Sequence, residues 1–310
     1  MKKILAVSGG VDSMVMLDFC MRELPLEELV VATFDHGTRE SAKEDVEFVT
    51  RRVEELGAAR GVPTEVRRDC SAKVSGISSA LQMRVYQGSA ELGAGASEER
   101  ARAERYQFLR KVAFLEKGEI FTAHHLDDLV ETVAINFLRG TGIRGLAPFS
   151  SPGIRRPFLE GAFGEVLDKR GVLKIAAERG VRFREDPTNS SSDYLRNRVR
   201  ERVREKSQEE KMKVFELFLK QKAVVGEIEK ILEAILPEDL RFLREDFREM
   251  PEEVGREILR EGLGRAGISA TRPQIQEFLT AIQTYQTGKK FNLPGDRLVE
   301  MRREDFQILC

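Results

Sequence analysis

Ser8-Gly9-Gly10-Val11-Asp12-Ser13 constrains the fold of this chain more than any other segment. It follows Lys3-Ile4-Leu5-Ala6-Val7, an apolar, β-branched run that reads as a buried strand. It precedes Met14–Glu23, where apolar residues at 14, 17 and 21 mark one helix face. A strand, a glycine turn with hydroxyls at both ends and a helix start make an anion cradle. Backbone N–H groups converge there, and the positive end of the helix dipole faces them. The Gly-Lys-Ser or Gly-Lys-Thr ending of the kinase and GTPase phosphate loop is absent. A turn that merely lets strand and helix pack closely is the plainer use of the same glycines.

At 310 residues the chain is long enough for two domains of roughly 100–200 residues each. Charged residues make up 33% of it, above the roughly 25% of an average domain, and their default use is a solvated, ion-paired surface. The net charge of −1 does not announce nucleic acid, but residues 139–206 carry sixteen Lys/Arg against nine Asp/Glu. Such a stretch can track phosphates. Cys20, Cys70 and Cys310 form no Cys-x-x-Cys, which excludes a zinc ribbon and argues against a disulfide framework. The first strand begins almost at residue 1, so neither a signal peptide nor a membrane span is expected, and a cytoplasmic protein is.

Leu29–Phe34 reads as a second buried strand ending at Asp35-His36, and Val46, Val49, Val53 and Leu56 give the next helix its apolar face. Thr64–Val66 is a weak third strand, and Glu119–Ala123 is a stronger one ending at His124-His125. Residues 71–100 resist reading, apart from a glycine-rich break at 93–97 ahead of a charged helix, Glu98–Lys117. Strands alternating with helices predict an α/β fold with a doubly wound parallel sheet, whose ligands sit beyond the carboxyl ends of its strands. Beyond about 206 the texture changes to charged helices, Met212–Leu232 and Glu252–Leu263, with strand character returning at Lys290–Val299 and Phe306–Leu309. The expected division is therefore 1–206, an α/β domain, and 207–310, a smaller and mainly helical one.

His124-His125-Leu126-Asp127-Asp128-Leu129-Val130-Glu131-Thr132 opens another helix, on which Asp128 and Glu131 share a face. That spacing also serves a helix capping box, with no catalysis implied. Zinc binding ranks low, because adjacent His side chains diverge and no third ligand has standard spacing. The neighbours are more telling. Asn136–Leu146 follows, then Arg155-Arg156-Pro157-Phe158-Leu159, then Glu185-Asp186-Pro187-Thr188-Asn189, then Tyr194-Leu195-Arg196-Asn197-Arg198-Val199-Arg200. The loop at 8–13 resembles the pyrophosphate-binding loop of the PP-loop ATP pyrophosphatase superfamily. The whole series over 3–205 closely resembles the tRNA(Ile)-lysidine synthetase family in its short form. Leu129 departs from the Gln many members carry there, and residues 84–97 are longer and richer in glycine than usual.

The resemblance implies ATP, Mg²⁺, L-lysine and a tRNA(Ile) with a CAU anticodon, with a second copy of the chain as a further expected partner. The C2 oxygen of the wobble cytidine would attack the α-phosphate of ATP, and the ε-amine of lysine would then displace AMP. Ser8, Gly9, Gly10, Val11, Asp12, Ser13 and Asp35 are the expected nucleotide contacts. Asp12 is placed equally as Mg²⁺ ligand or helix cap. Asp128, Glu131, His125 and Arg105 are the expected catalytic group: the two acids hold the lysine ammonium, and one takes its proton. A free amine with a pKa of ~10.4 is neutral in only about one molecule in a few thousand at pH 7, so such help is required. Arg139, Arg144, Arg155, Arg156, Arg196, Asn197, Arg198 and Arg200 are the expected tRNA contacts, and 207–310 an expected tRNA-binding domain. Another PP-loop tRNA-modifying enzyme is the nearest rival, although a thiolase would want paired cysteines. A tRNA-binding protein that keeps the nucleotide site without turnover is a rival of another class.

Overall fold

A computed structural model describes residues 1–37, 41–68, 82–90, 92–93, 97–184 and 194–308. The chain divides into two units, Met1–Lys222 and Ala223–Cys310.

In the first unit the chain runs β1 (Lys2–Ala6), α1 (Val11–Glu23), β2 (Leu29–Asp35), α2 (Ser41–Ala58), β3 (Thr64–Arg68), β4 (Met83–Ser89) and α3 (Glu98–Glu116). It continues through β5 (Gly118–Phe121), α4 (Leu126–Leu138), β6 (Ile154–Arg155), α5 (Lys169–Glu178) and α6 (Tyr194–Glu205) into α7 (Gln208–Ile235). The six strands form one sheet in the order β3-β4-β2-β1-β5-β6, with every pairing parallel. Alternation along β1 shows why both faces need helices. Leu5 packs with Val15, Leu17, Val49 and Val172 of α1, α2 and α5, whereas Ile4 packs with Leu109 and Val112 of α3. A third core joins α4, α6 and the start of α7 through Leu129, Val133, Val199, Phe215 and Phe218. The chain leaves β1 toward β2 on one side, while β5 lies on the other, so the sheet switches direction at β1. That is where parallel sheets open a ligand crevice.

The doubly wound parallel sheet is the fold expected. Two strands of it were not expected. β4 lies in the stretch that resists reading, and β6 is two residues long. The compact units meet at Lys222, within α7. Helix α7 runs unbroken past that point, and Phe215 and Phe218 bury its first half against α4 and α6. The Glu185–Asn189 motif lies outside the described residues.

The second unit contains β7 (Arg241–Leu243), α8 (Asp246–Glu249), α9 (Glu252–Arg265), α10 (Arg272–Thr284), β8 (Lys290–Leu293), β9 (Arg297–Glu300) and β10 (Asp305–Gln307). Its core is aromatic: Phe306 meets Phe242, Phe247 and Phe278 with ring centroids 5.5–5.6 Å apart. Arg244 is 2% exposed, and its guanidinium donates to the carbonyls of Ile282 (2.9 Å), Arg302 (3.1 Å) and Tyr285 (2.6 Å). Two of these carbonyls end α10, whose negative dipole end offsets the charge. Arg244→Met is expected to strand all three acceptors and cost about 3 kcal/mol. Hydrogen exchange of α9 and α10 amides in the full chain reads this directly; a cost under about 1 kcal/mol would mean other donors replace the guanidinium.

Candidate active site

The loop after β1 is built as its composition demands. Gly9 holds φ at +88°, a left-handed conformation that L side chains rarely adopt, and its carbonyl accepts the Arg184 N–H at 2.9 Å. Gly10 is the N-cap of α1 and supplies no side-chain cap, so the N–H groups of the first turn stay open to an anion. The two hydroxyls divide their work. Ser13 Oγ donates to the Gly10 carbonyl (2.9 Å) and accepts from the Ser8 N–H (3.1 Å), which ties the loop shut, while Ser8 Oγ lies 3.3 Å away on the crevice wall.

The crevice beyond β1 measures about 490 Å³ and is lined by Ser8, Gly10, Asp12, Ser13, Arg105, His124, Asp128 and Arg184, with Ala32, Phe34 and Leu109 as an apolar end. Among the expected nucleotide and catalytic residues, this brings together the loop, Arg105 and Asp128. Asp35 goes elsewhere. Its carboxylate accepts the Gly37 N–H at 2.7 Å and faces a separate depression beside Lys43 and Arg68.

Asp12 is the second residue of α1 rather than its cap. Both its oxygens accept from Lys169 Nζ, at 2.7 and 2.9 Å, and Lys169 is the first residue of α5. On its other side His125 Nε2 stands 3.8 Å from Asp12 and 3.5 Å from Asp128. The His125 ring therefore stands between the two carboxylates. Asp128 also accepts the backbone N–H of His125 at 2.9 Å. The capping role and the crevice role therefore belong to one side chain, and the cap pairs Asp128 with His125 rather than with Glu131.

Glu131 does not line the crevice. It is buried, and Arg200 Nε of α6 reaches it at 3.3 Å. Burial pushes its carboxyl above the usual range, with Asp128 adding to the rise and Arg200 opposing it. Arg156 is equally committed. It is 5% exposed, donates to the Phe149 carbonyl at 2.6 Å and lies over the Phe149 ring, so its place is inside the fold. Arg155 is half exposed and paired with Glu160. Arg139 and Arg198 are exposed, and Arg144, Arg196 and Asn197 are half-buried.

Sequence reasoning favours His125 and passes over His124. The His124 ring lines the crevice, stacks near Phe149 at 4.8 Å and shares a hydrogen bond of 2.9 Å with Thr122 Oγ1. Burial, and then the charges of Arg156, Arg102, Arg105 and His125, push its imidazole well below its ordinary range, so it is neutral at pH 7. Lys169, Arg184, Asp127 and Asp168 also escape a reading of the sequence. Arg184 spans the crevice wall by pairing with Glu44 (2.7 Å) and Asp45 (2.9 Å) of α2. No spacing rule could pair Lys169 with Asp12, 157 positions away. Cys20 sits in the core under α1, where burial pushes its thiol up to about 12, so it supplies no thiolate to the site.

A parallel sheet with an uncapped glycine loop at its switch point and acids across the crevice defines the PP-loop class, and the PP-loop domain family matches residues 1–207; the chain belongs to that family. It is 33% identical over 203 residues to a tRNA(Ile)-lysidine synthase of Thermosipho africanus, a match spanning 64% of this chain and 42% of that one. A tRNA(Ile)-lysidine synthase of Dehalococcoides mccartyi is 35% identical over 208 residues, covering 64% and 40%. The chain thus spans about two fifths of the length of the curated relatives it matches. Among solved structures, the U34-tRNA thiolase NcsA from Methanococcus maripaludis superposes with a TM-score of 0.52 over 73% of each chain, at 15% identity, a likeness of fold. Family membership implies use of ATP. Among the described residues no helix is long and apolar enough to cross a membrane.

Proposed function

We propose that the chain is an ATP-dependent carbon–nitrogen ligase that joins L-lysine to C2 of the wobble cytidine of a tRNA(Ile) with a CAU anticodon. The observation that carries this reading is the meeting of the Ser8–Ser13 loop, Arg105 and Asp128 in one crevice. The apolar end formed by Ala32, Phe34 and Leu109 suits the adenine, and the open N–H groups of α1 suit the β- and γ-phosphates. In the first step the cytidine O2 bonds to the α-phosphorus, and the bond from that phosphorus to the bridging oxygen breaks to release pyrophosphate. In the second, the lysine nitrogen bonds to C2, the C2–O2 bond breaks, and AMP leaves. Loss of the amine proton completes the exchange.

Asp128 is the carboxylate at the crevice that attracts the lysine ammonium and offers an acceptor for its proton. Arg105 faces the developing phosphate charge. Glu131 supports this group from behind: its pairing with Arg200 fixes α6 against α4. Among the described residues no cluster of three His, Cys, Asp or Glu could cage a metal. Asp12 alone fits a magnesium ion delivered on phosphates, because Mg²⁺ takes one or two carboxylates beside phosphate and water. Such an ion would share or displace the Lys169 ammonium, and it would supply charge neutralisation at the leaving pyrophosphate.

Pyrophosphate release from ATP with purified protein, tRNA(Ile) and lysine tests the reading. Release that requires this tRNA, with lysine appearing in it, is expected. Release with other acceptors only, or tRNA binding without release, would overturn it.

A further inference from the structure

Behind the crevice lies a buried ionic bridge that no part of this chemistry uses. Lys211, in the first turn of α7, is 1% exposed. Its Nζ reaches Asp127 Oδ1 at 2.6 Å and Asp168 Oδ2 at 2.9 Å. Asp127 stands in the first turn of α4, and its other oxygen accepts the backbone N–H of Lys169 at 3.2 Å. Asp168 caps α5, accepting the Gly171 N–H at 2.9 Å. The Leu126 N–H donates to the Leu167 carbonyl at 2.9 Å, so the two helix starts are tied to each other as well as to the lysine. From these starts project the groups that face the loop: His125 and Asp128 from α4, and Lys169 from α5.

We propose that Lys211 is a positioning residue for the active site, fixing the N-terminal turns of α4 and α5 so that Lys169, Asp12, His125 and Asp128 keep their array. Two physical facts carry this. First, burying three ionised groups is costly unless each is partnered, and here every carboxylate oxygen of the pair meets either the Lys211 ammonium or a backbone N–H. Burial opposes the Lys211 charge, but the hydrogen bonds from it to Asp127 and Asp168 outweigh burial and hold its ammonium above the ordinary range. Second, the array is tight. Lys169 holds Asp12 within 2.9 Å, and His125 spans the gap from Asp12 to Asp128. Without the ammonium, the two buried acids would repel, and the helix starts bearing the array would separate or take up a proton. Lys211 also lies beyond residues 1–207 of the family match, so this chain holds its site with a residue from outside the shared domain.

The test uses full-length Lys211→Met, which keeps the stem and removes the charge. Its kinetic arm rests on the ligase reading; its spectroscopic arm does not. The chain has three histidines, so their ring-proton resonances can be resolved one by one. The His125 resonance is expected to move while that of His36 stays. The kcat for pyrophosphate release should fall about 10- to 100-fold with KM for ATP changed less than about threefold, the signature of a displaced reacting group. If the melting temperature falls while the His125 resonance and kcat hold, Lys211 only stabilises the fold and the proposal is overturned. A shifted His125 resonance in a protein whose wild type releases no pyrophosphate would sink the ligase reading and leave the positioning role standing. Should Lys211→Met not fold, Asp168→Asn keeps the helix cap and removes one arm of the bridge, and the same His125 shift is expected.

Discussion

Asp128→Asn is expected to abolish lysine transfer to tRNA, with a loss of about 10²–10³-fold in turnover, while leaving tRNA affinity unchanged. The structure makes this substitution unusually clean. Asp128 accepts the His125 N–H, and the amide oxygen of Asn can accept the same bond, so the start of α4 keeps its cap. What disappears is the negative charge at the crevice, the feature that attracts an ammonium. Loss of a charge-assisted bond to a desolvated partner is worth about 3–4 kcal/mol, which converts to the stated range. Glu131 cannot substitute, because it does not line the crevice and Arg200 holds its carboxylate. Lysine incorporation and filter binding of tRNA, measured on the same preparation, check both halves. Unchanged turnover would remove Asp128 from the mechanism.

The affinity for tRNA is expected to fall steeply with salt if the basic stretch carries the contacts proposed for it. The sequence offers seven arginines in the basic stretch as phosphate contacts. Arg156 is spent on the Phe149 carbonyl and ring, and Arg200 on Glu131. Arg139, Arg144, Arg155, Arg196 and Arg198 are exposed or half-buried; the Arg155–Glu160 pair is itself exposed and can yield to phosphate, whereas Arg200 pairs with a buried acid. Five contacts imply a slope of roughly −3.5 to −4.5 in log affinity against log salt, or about a 100- to 500-fold loss between 50 and 200 mM. Seven contacts would give a visibly steeper line. A flat response would mean that this face does not carry the tRNA.

The parts of this architecture that depend on local chemistry were legible in the sequence. Gly9 announces a turn that L side chains rarely make, and the apolar spacing of the strands and helices around it announces the sheet. Asp128 was legible because a cap and a crevice acid stand at the same helix start. Features that depend on distant partners were not. Glu131 lies next to Arg200 only because α6 packs on α4, 69 positions on. Asp35 ends a strand at the correct edge, but its carboxylate accepts the Gly37 N–H and lines a separate depression. His124 and His125 are adjacent in sequence and take different roles, one on the wall and the other between two acids. Alternation alone could not say which.

Helix α7 begins in one unit and ends in the other without a break. Exchange of carboxy-terminal segments between proteins of this architecture therefore has a natural joint near residue 222 and a poor one near 207. A chimera joined at 207 would lose the Lys211 ammonium between Asp127 and Asp168 unless the incoming tail supplied a cation in its place. One joined after Lys222 would carry its own counter-ion along. Any lineage that trades its tail is free to vary the residues past that joint, and must conserve or compensate the one turn of helix that carries Lys211.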